Sequence, residues 1–201
     1  MAGDLSAALL RLDEITRLLR TECPWDREQD ERSIVPHTVE EAYELADAAH
    51  SGDDAKLIDE LGDVLFQVYF LALLLEERGG GSLAEVAEHC REKLIRRHPH
   101  VFGDREADTA GDVVRNWDEI KRDQEGGGEI FGPIPATLPS TLYAKKVLRR
   151  ARSAGHEWDG PGEDPGERLL AAVQAAVEAG ADPELELRRA ADRFRQKVDG
   201  A

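Results

Sequence analysis

The stretch TVEEAYELADAAHSGDDAKLIDELGDVLFQV, residues 38–68, constrains this chain more than any other. Two segments of helical character meet at SGDD, residues 51–54, which reads as a turn. Thr38 is placed to cap the first segment, with Glu40 and Glu41 in the opening turn where the helix dipole favours acids, and the helix is expected to end near His50. The second is expected from about Ala55 to Arg78, with an apolar stripe of Leu57, Leu61, Val64, Leu65, Val68, Leu71 and Leu75. Abundant Ala, Leu, Glu and Arg, few aromatics and no long alternating Val/Ile/Thr runs predict an all-α fold for the whole chain of 201 residues.

An antiparallel pair about Gly52 has a chemical consequence. Glu44 and Glu60 stand equally far along the chain from the turn, and so do Glu41 and Asp63. At a rise of 1.5 Å per residue the two levels lie roughly 12 Å and 16 Å from it, one helical turn apart. Within each helix the two acids are i,i+3 and share a face. Four carboxylates then converge, at a cost of about 1 kcal/mol per pair in water and ~4 kcal/mol at an effective dielectric of 20 for oxygens ~4 Å apart. A hard divalent cation, Mg²⁺ or Mn²⁺, is the natural counterion for an oxygen-only set. The competing reading is a solvated acidic face. A di-iron carboxylate site is disfavoured, because no His stands three residues after Glu41, Glu44 or Glu60.

Elsewhere the period is also helical. Leu5, Leu9, Leu12, Ile15, Leu18 and Leu19 predict an amphipathic helix over 4–20, followed by a polar loop over 23–37. Gly79 to Gly81 end the long helix, and Ser82 with Glu85 forms a capping box for a helix that should stop before Pro99. A further helix is expected over 109–124. Residues 126–139, rich in Gly and Pro, read as a linker, and three helices are expected near 140–154, 166–179 and 183–198.

A formal net charge of −16 opposes generic binding to nucleic acid or to an anionic membrane. Against that background REKLIRRHPHVF, residues 91–102, concentrates Arg91, Lys93, Arg96 and Arg97. These cations either complement the dipole at a helix C-terminus or hold a phosphate chain between themselves and a metal. Trp117 and Lys121, one turn apart, either stack a base and contact phosphate or belong to the core; Trp25 is expected to pack. Cys23 and Cys90 are too few for a disulfide framework, the N-terminus lacks the layout of a signal peptide, and the most apolar run, Val64 to Leu75, contains Gln67 and is too short to span a bilayer. A cytoplasmic location is the expectation.

With these residues in view, VEEAYELADAA followed by DELGDVLFQV resembles the EExxE and ExxD motifs of the all-α nucleoside triphosphate pyrophosphohydrolases, and CPWDREQ, KLIRRHPHVF and WDEIK resemble the MazG branch. The likeness covers residues 5–125 and continues through IPATLPSTLYAKKVLRRARSAG. It implies a catalytic helical domain over 1–125, with Glu41, Glu44, Glu60 and Asp63 binding Mg²⁺, or Mn²⁺ in its place. It further implies Glu40 as an additional ligand or acid/base group, Lys93, Arg96 and Arg97 on the triphosphate, and Trp117 with Lys121 on the nucleotide. The implied reaction turns a nucleoside triphosphate and water into the monophosphate and pyrophosphate. The resemblance also implies a homodimer in which both chains complete one bundle. Residues 140–201 resemble a degenerate second copy: EWD echoes PWD, but at the offset set by the two Trp residues Glu40, Glu41 and Glu44 become Val173, Gln174 and Val177. Two other readings stand beside the enzyme: a nucleotide-responsive binding module with little turnover, and a helical interaction protein with an acidic surface.

Overall fold

In a computed structural model of the protein the described residues are 3–125 and 129–200, and among them every regular element is a helix. The chain divides into two compact units, Met1–Glu92 and Lys93–Ala201.

The first unit holds α1 (Leu5–Glu22), α2 (Pro24–Glu28), α3 (Glu31–Ser51), α4 (Asp54–Glu77) and most of α5 (Leu83–Arg97). Helices α3 and α4 lie side by side, and α1 packs on α2 and α4. Ile34, Phe70 and Leu74 form the buried centre, with Phe66 and Leu71 against it. Each such side chain contributes roughly 1.5–3 kcal/mol by leaving water. Arg17 to Glu76 and Arg20 to Glu77, at 2.7 and 2.8 Å, tie α1 to the far end of α4.

Two expectations are corrected here. Residues 23–37 are not a loop: α2 and the start of α3 occupy them. The Asp30 side chain accepts from the N–H groups of Arg32 and Ser33, the Ser33 hydroxyl accepts from the Asp30 N–H, and Ile34 is 1% exposed. That cap and that burial outweigh the proline inside the helix, Pro36, which lacks an N–H for the turn before it and costs about 3 kcal/mol. Thr38 is consequently mid-helix and caps nothing. The apolar stripe of α4 is also displaced: Leu61, Leu65 and Val68 are exposed, whereas Tyr69, Phe70, Ala72, Leu73 and Leu74 are buried. This helix is apolar around much of its girth, and the packing of α1 and α3 on it leaves Leu61, Leu65 and Val68 exposed. Trp25 is half-exposed, with its ring edge-on to His37 at 5.6 Å.

The second unit holds the end of α5, then α6 (Pro99–Phe102), α7 (Ala110–Glu125), α8 (Ser140–Ser153), α9 (Pro165–Glu178) and α10 (Pro183–Asp199). Helix α8 is its hub, since α7, α9 and α10 all pack on it. Asp118 of α7, 8% exposed, accepts from the Ser153 hydroxyl at 2.9 Å and pairs with Arg149 at 3.0 Å. Lys145 to Asp182 and Arg152 to Glu178 fasten the other two helices. Residues 126–139 therefore join two helices of one unit; 126–128 lie outside the described residues. No helix among the described residues is long and apolar enough to cross a membrane.

Candidate active site

The α3–α4 hairpin turns on Gly52, whose φ of 71° lies in the left-handed region that glycine enters without a side-chain clash. Asp53 then starts α4 by accepting from the N–H groups of Ala55 and Lys56. With the turn fixed this tightly, the helices run back along each other in the register set by distance from Gly52. One carboxylate oxygen from each of Glu41, Glu60 and Asp63 lies within 4.8 Å of the other two.

The electrostatics of the group are those of crowded anions. Partial burial, and then the charges of Asp63, Glu44, Glu60 and Glu40, push the Glu41 carboxyl above the usual Glu range. Partial burial and the charges of Glu44, Asp63 and Asp59 push Glu60 up as well, with Lys56 opposing. Glu60 Oε2 is buried and accepts no hydrogen bond. A carboxylate oxygen out of water with no donor is costly unless a proton or cation meets it. The donor set is oxygen only, which suits Mg²⁺ or Mn²⁺ and not the softer metals.

Two of the five sequence-expected acids stand apart from this triad. Glu44 is exposed, although its charge acts on both Glu41 and Glu60. Glu40 is exposed too and lies 3.8 Å from His37 Nδ1 on its own helix.

The profile of the MazG nucleotide pyrophosphohydrolase domain matches residues 29–102, the stretch from the start of α3 to the end of α6. The nucleoside triphosphate pyrophosphohydrolase of Escherichia coli strain K12 is 32% identical over 206 residues, covering 87% of this chain and 78% of that protein. The chain belongs to the MazG family. The nucleoside triphosphate pyrophosphohydrolase/pyrophosphatase MazG of Thermotoga maritima is 34% identical over 197 residues, covering 86% of this chain and 76% of that one. An uncharacterized 26.1 kDa protein of Streptomyces cacaoi is 38% identical over 200 residues, covering 97% and 83%.

Lys93, Arg96, Arg97, Trp117 and Lys121 of this MazG-family chain belong to the second unit, and Arg91 to the first. Arg97 is only 9% exposed, and its guanidinium carbon lies 5.3 Å from the centre of the Trp117 ring. The His98 ring meets the same Trp117 edge-on at 4.9 Å, with His98 Nδ1 2.6 Å from the Leu94 carbonyl oxygen. A cation over an indole is worth about 1–2 kcal/mol when partly desolvated. Trp117 is thus held between Arg97 and His98, and Lys121 follows one turn along α7, half-buried. Lys93 is half-buried and Arg96 exposed in the last turns of α5, where cations also complement the helix dipole.

Sequence reasoning missed the partners that brace these groups. Asp118 gave no signal, because a carboxylate beside Trp117 in a polar helix reads as solvated until Arg149 and Ser153 are seen against it. Gln67 did give one, as the polar break in an apolar run.

Proposed function

We propose that the chain hydrolyses nucleoside triphosphates to the monophosphate and pyrophosphate with a divalent cation, Mg²⁺ or Mn²⁺, at the hairpin. The observation that carries this reading is the convergence of Glu41, Glu60 and Asp63 around an oxygen, Glu60 Oε2, that is buried without a donor. Its reaction class comes from the relatives' names.

In this reading Glu41, Glu60 and Asp63 hold the cation with Glu44 beside them, and Glu40 lies at the rim. When bound, the cation neutralises charge on the phosphates and lowers the pKa of water. Without it Glu41 and Glu60 retain protons more strongly than ordinary carboxyls; in the reaction one carboxylate of the group accepts a hydrogen bond from the attacking water and takes its proton. The water oxygen bonds to the α-phosphorus as the bond from that atom to the α–β bridging oxygen breaks, and pyrophosphate leaves. Lys93, Arg96 and Arg97 supply cations for the triphosphate, and Trp117 with Lys121 meets the nucleotide. Arg97 and Trp117 contact each other, which supports a shared role at one end of the substrate.

A homodimer belongs to the same reading. Ile58, Leu61, Leu65 and Val68, spaced three and four apart on α4, are 71, 51, 36 and 40% exposed, a stripe that supports coverage by a second copy. Residues 140–201 are proposed as the remnant of a second MazG-like copy. Val173, at the position that answers to Glu40, is 8% exposed in an apolar setting, which suits packing and not ligation. Cys23 and Cys90 are free thiols, in keeping with a reducing cytoplasm.

The test is pyrophosphate release from a panel of nucleoside triphosphates with and without Mg²⁺, comparing the parent chain with Glu60→Ala. Release that requires the metal and is lost in the variant is expected. Nucleotide binding without release from any nucleotide, the fold being intact, would replace this reading with the nucleotide-responsive module.

A further inference from the structure

We infer that Thr38 and Gln67 form a positioning pair that sets the register of α3 on α4 and so places the carboxylates of Glu41, Glu60 and Asp63. The inference rests on the metal reading of that cluster.

Ile34 and Phe70 stand equally far from Gly52 along the chain, as do Glu41 and Asp63, and Thr38 and Gln67 lie between these levels within one residue of the same symmetry. The hairpin is thus a ladder. Its lower rung is the apolar core of Ile34 and Phe70, its upper rung is the acidic cluster, and the rung between them is a side-chain hydrogen bond. The Thr38 hydroxyl lies 3.2 Å from Gln67 Oε1 and 3.4 Å from the Ile34 carbonyl oxygen, so its one proton is shared between the other helix and its own. Gln67 is 6% exposed, while Phe70, Leu73 and Leu74 on the same helix are all buried.

A buried amide is an odd choice for stability. Burying it costs free energy that the hydrogen bond largely returns, whereas an apolar residue of similar size would contribute outright. What such a bond supplies is discrimination among alignments. Apolar side chains on two facing surfaces tolerate sliding or rolling by an ångström or two, but the buried Gln67 oxygen meets the Thr38 hydroxyl at one alignment only. Thr38 precedes Glu41 by three residues and Gln67 follows Asp63 by four, so the bond is one turn from the cluster on both helices. Metal ligands must be held to about half an ångström, and the outer groups that hold them are worth about 10–100-fold in affinity. Thr38 and Gln67 touch no substrate in this account; they act through Glu41 and Asp63.

The experiment measures Mn²⁺ binding, without nucleotide, to the full chain by titration of the free-ion electron paramagnetic resonance signal, alongside thermal melting. The variants are Thr38→Val with Gln67→Leu together, Gln67→Met alone, and Thr38→Ser. Expected is a double variant that melts no lower than the parent but binds Mn²⁺ about 10-fold more weakly, with Gln67→Met similarly weakened and Thr38→Ser within about two-fold of the parent. A bond with a merely structural role would move the melting temperature and leave the affinity alone. Unchanged affinity in either folded Gln67 variant overturns the inference; Gln67→Met decides it should the double variant not fold. Absence of Mn²⁺ binding by the parent overturns the metal reading itself, and this inference with it.

Discussion

Among the charges around Glu41, that of Asp63 bears on it most strongly, from the opposite helix of the hairpin. The two residues belong to one face only because the chain reverses at Gly52. Partial burial and this proximity together make the folded chain sensitive to rising pH at this point. Glu41 in the folded chain holds its proton above the ordinary Glu value of 4.5, so its contribution to stability is present below that value and is lost as pH rises through the raised one. Asp63→Asn should therefore raise the melting temperature in EDTA near pH 8, by an amount that shrinks as pH falls to 5. A pH series of melts on the two proteins checks this, and a gain independent of pH contradicts it.

Divalent cation should reverse the same penalty. At a concentration 100 times its dissociation constant, a ligand of the folded state adds about 2.7 kcal/mol, roughly 5–10 °C for a chain of this size. Mg²⁺ or Mn²⁺ should produce such a rise in the parent and almost none in Glu60→Gln, because Glu60 Oε2 is a buried carboxylate oxygen with no hydrogen-bond donor. Differential scanning fluorimetry against metal concentration is sufficient.

Asp118 should matter for stability out of proportion to its place in a polar helix. Asp118→Ala removes the partner of Ser153 and of the part-exposed Arg149 and should cost about 1.5–3 kcal/mol, while Ser153→Ala costs nearer 1 kcal/mol. Urea unfolding of the full chain measures both. Equal, negligible losses would show that α7 and α8 do not depend on this contact.

Gly52→Ala tests the turn. An added methyl at Gly52 meets no atom within 4 Å, so its cost is purely the left-handed backbone, about 1 kcal/mol. The variant should melt slightly lower and keep its Mn²⁺ affinity, since the turn residue would still adopt the same φ. A large fall in affinity would indicate that the hairpin had changed course.

Much of this was legible in the sequence, for reasons that are local. The ends of α5, α8, α9 and α10 follow from Gly, Pro and capping Asp, which act within a few residues. The hairpin register follows from a single short turn. What was not legible depended on neighbours distant in sequence. The polar character of 23–37 argued for a loop, and the burial of Ile34 against Phe70, added to the Asp30 cap, shows why helix prevails. Likewise, a helix apolar around much of its girth does not announce which face its own chain will cover, so the exposure of Leu61 and Val68 could not be read from α4 alone. At the site, distance from Gly52 pairs Glu41 with Asp63, whereas the displacement of Glu40 toward His37 depends on side-chain direction.

The capping residues also bear on how an acidic chain can be read. Asp4, Asp30, Asp53, Asp164 and Asp182 each point their carboxylate at unpaired N–H groups opening a helix. The helix ends carry partial positive charge of about half a unit, so each of these anions is substantially matched within its own first turn. An isoelectric point counts such groups as freely repelling charge. A polyphosphate approaching this surface would meet a weaker barrier than a tally of ionisable groups suggests, because part of the acidity is masonry, spent on starting helices.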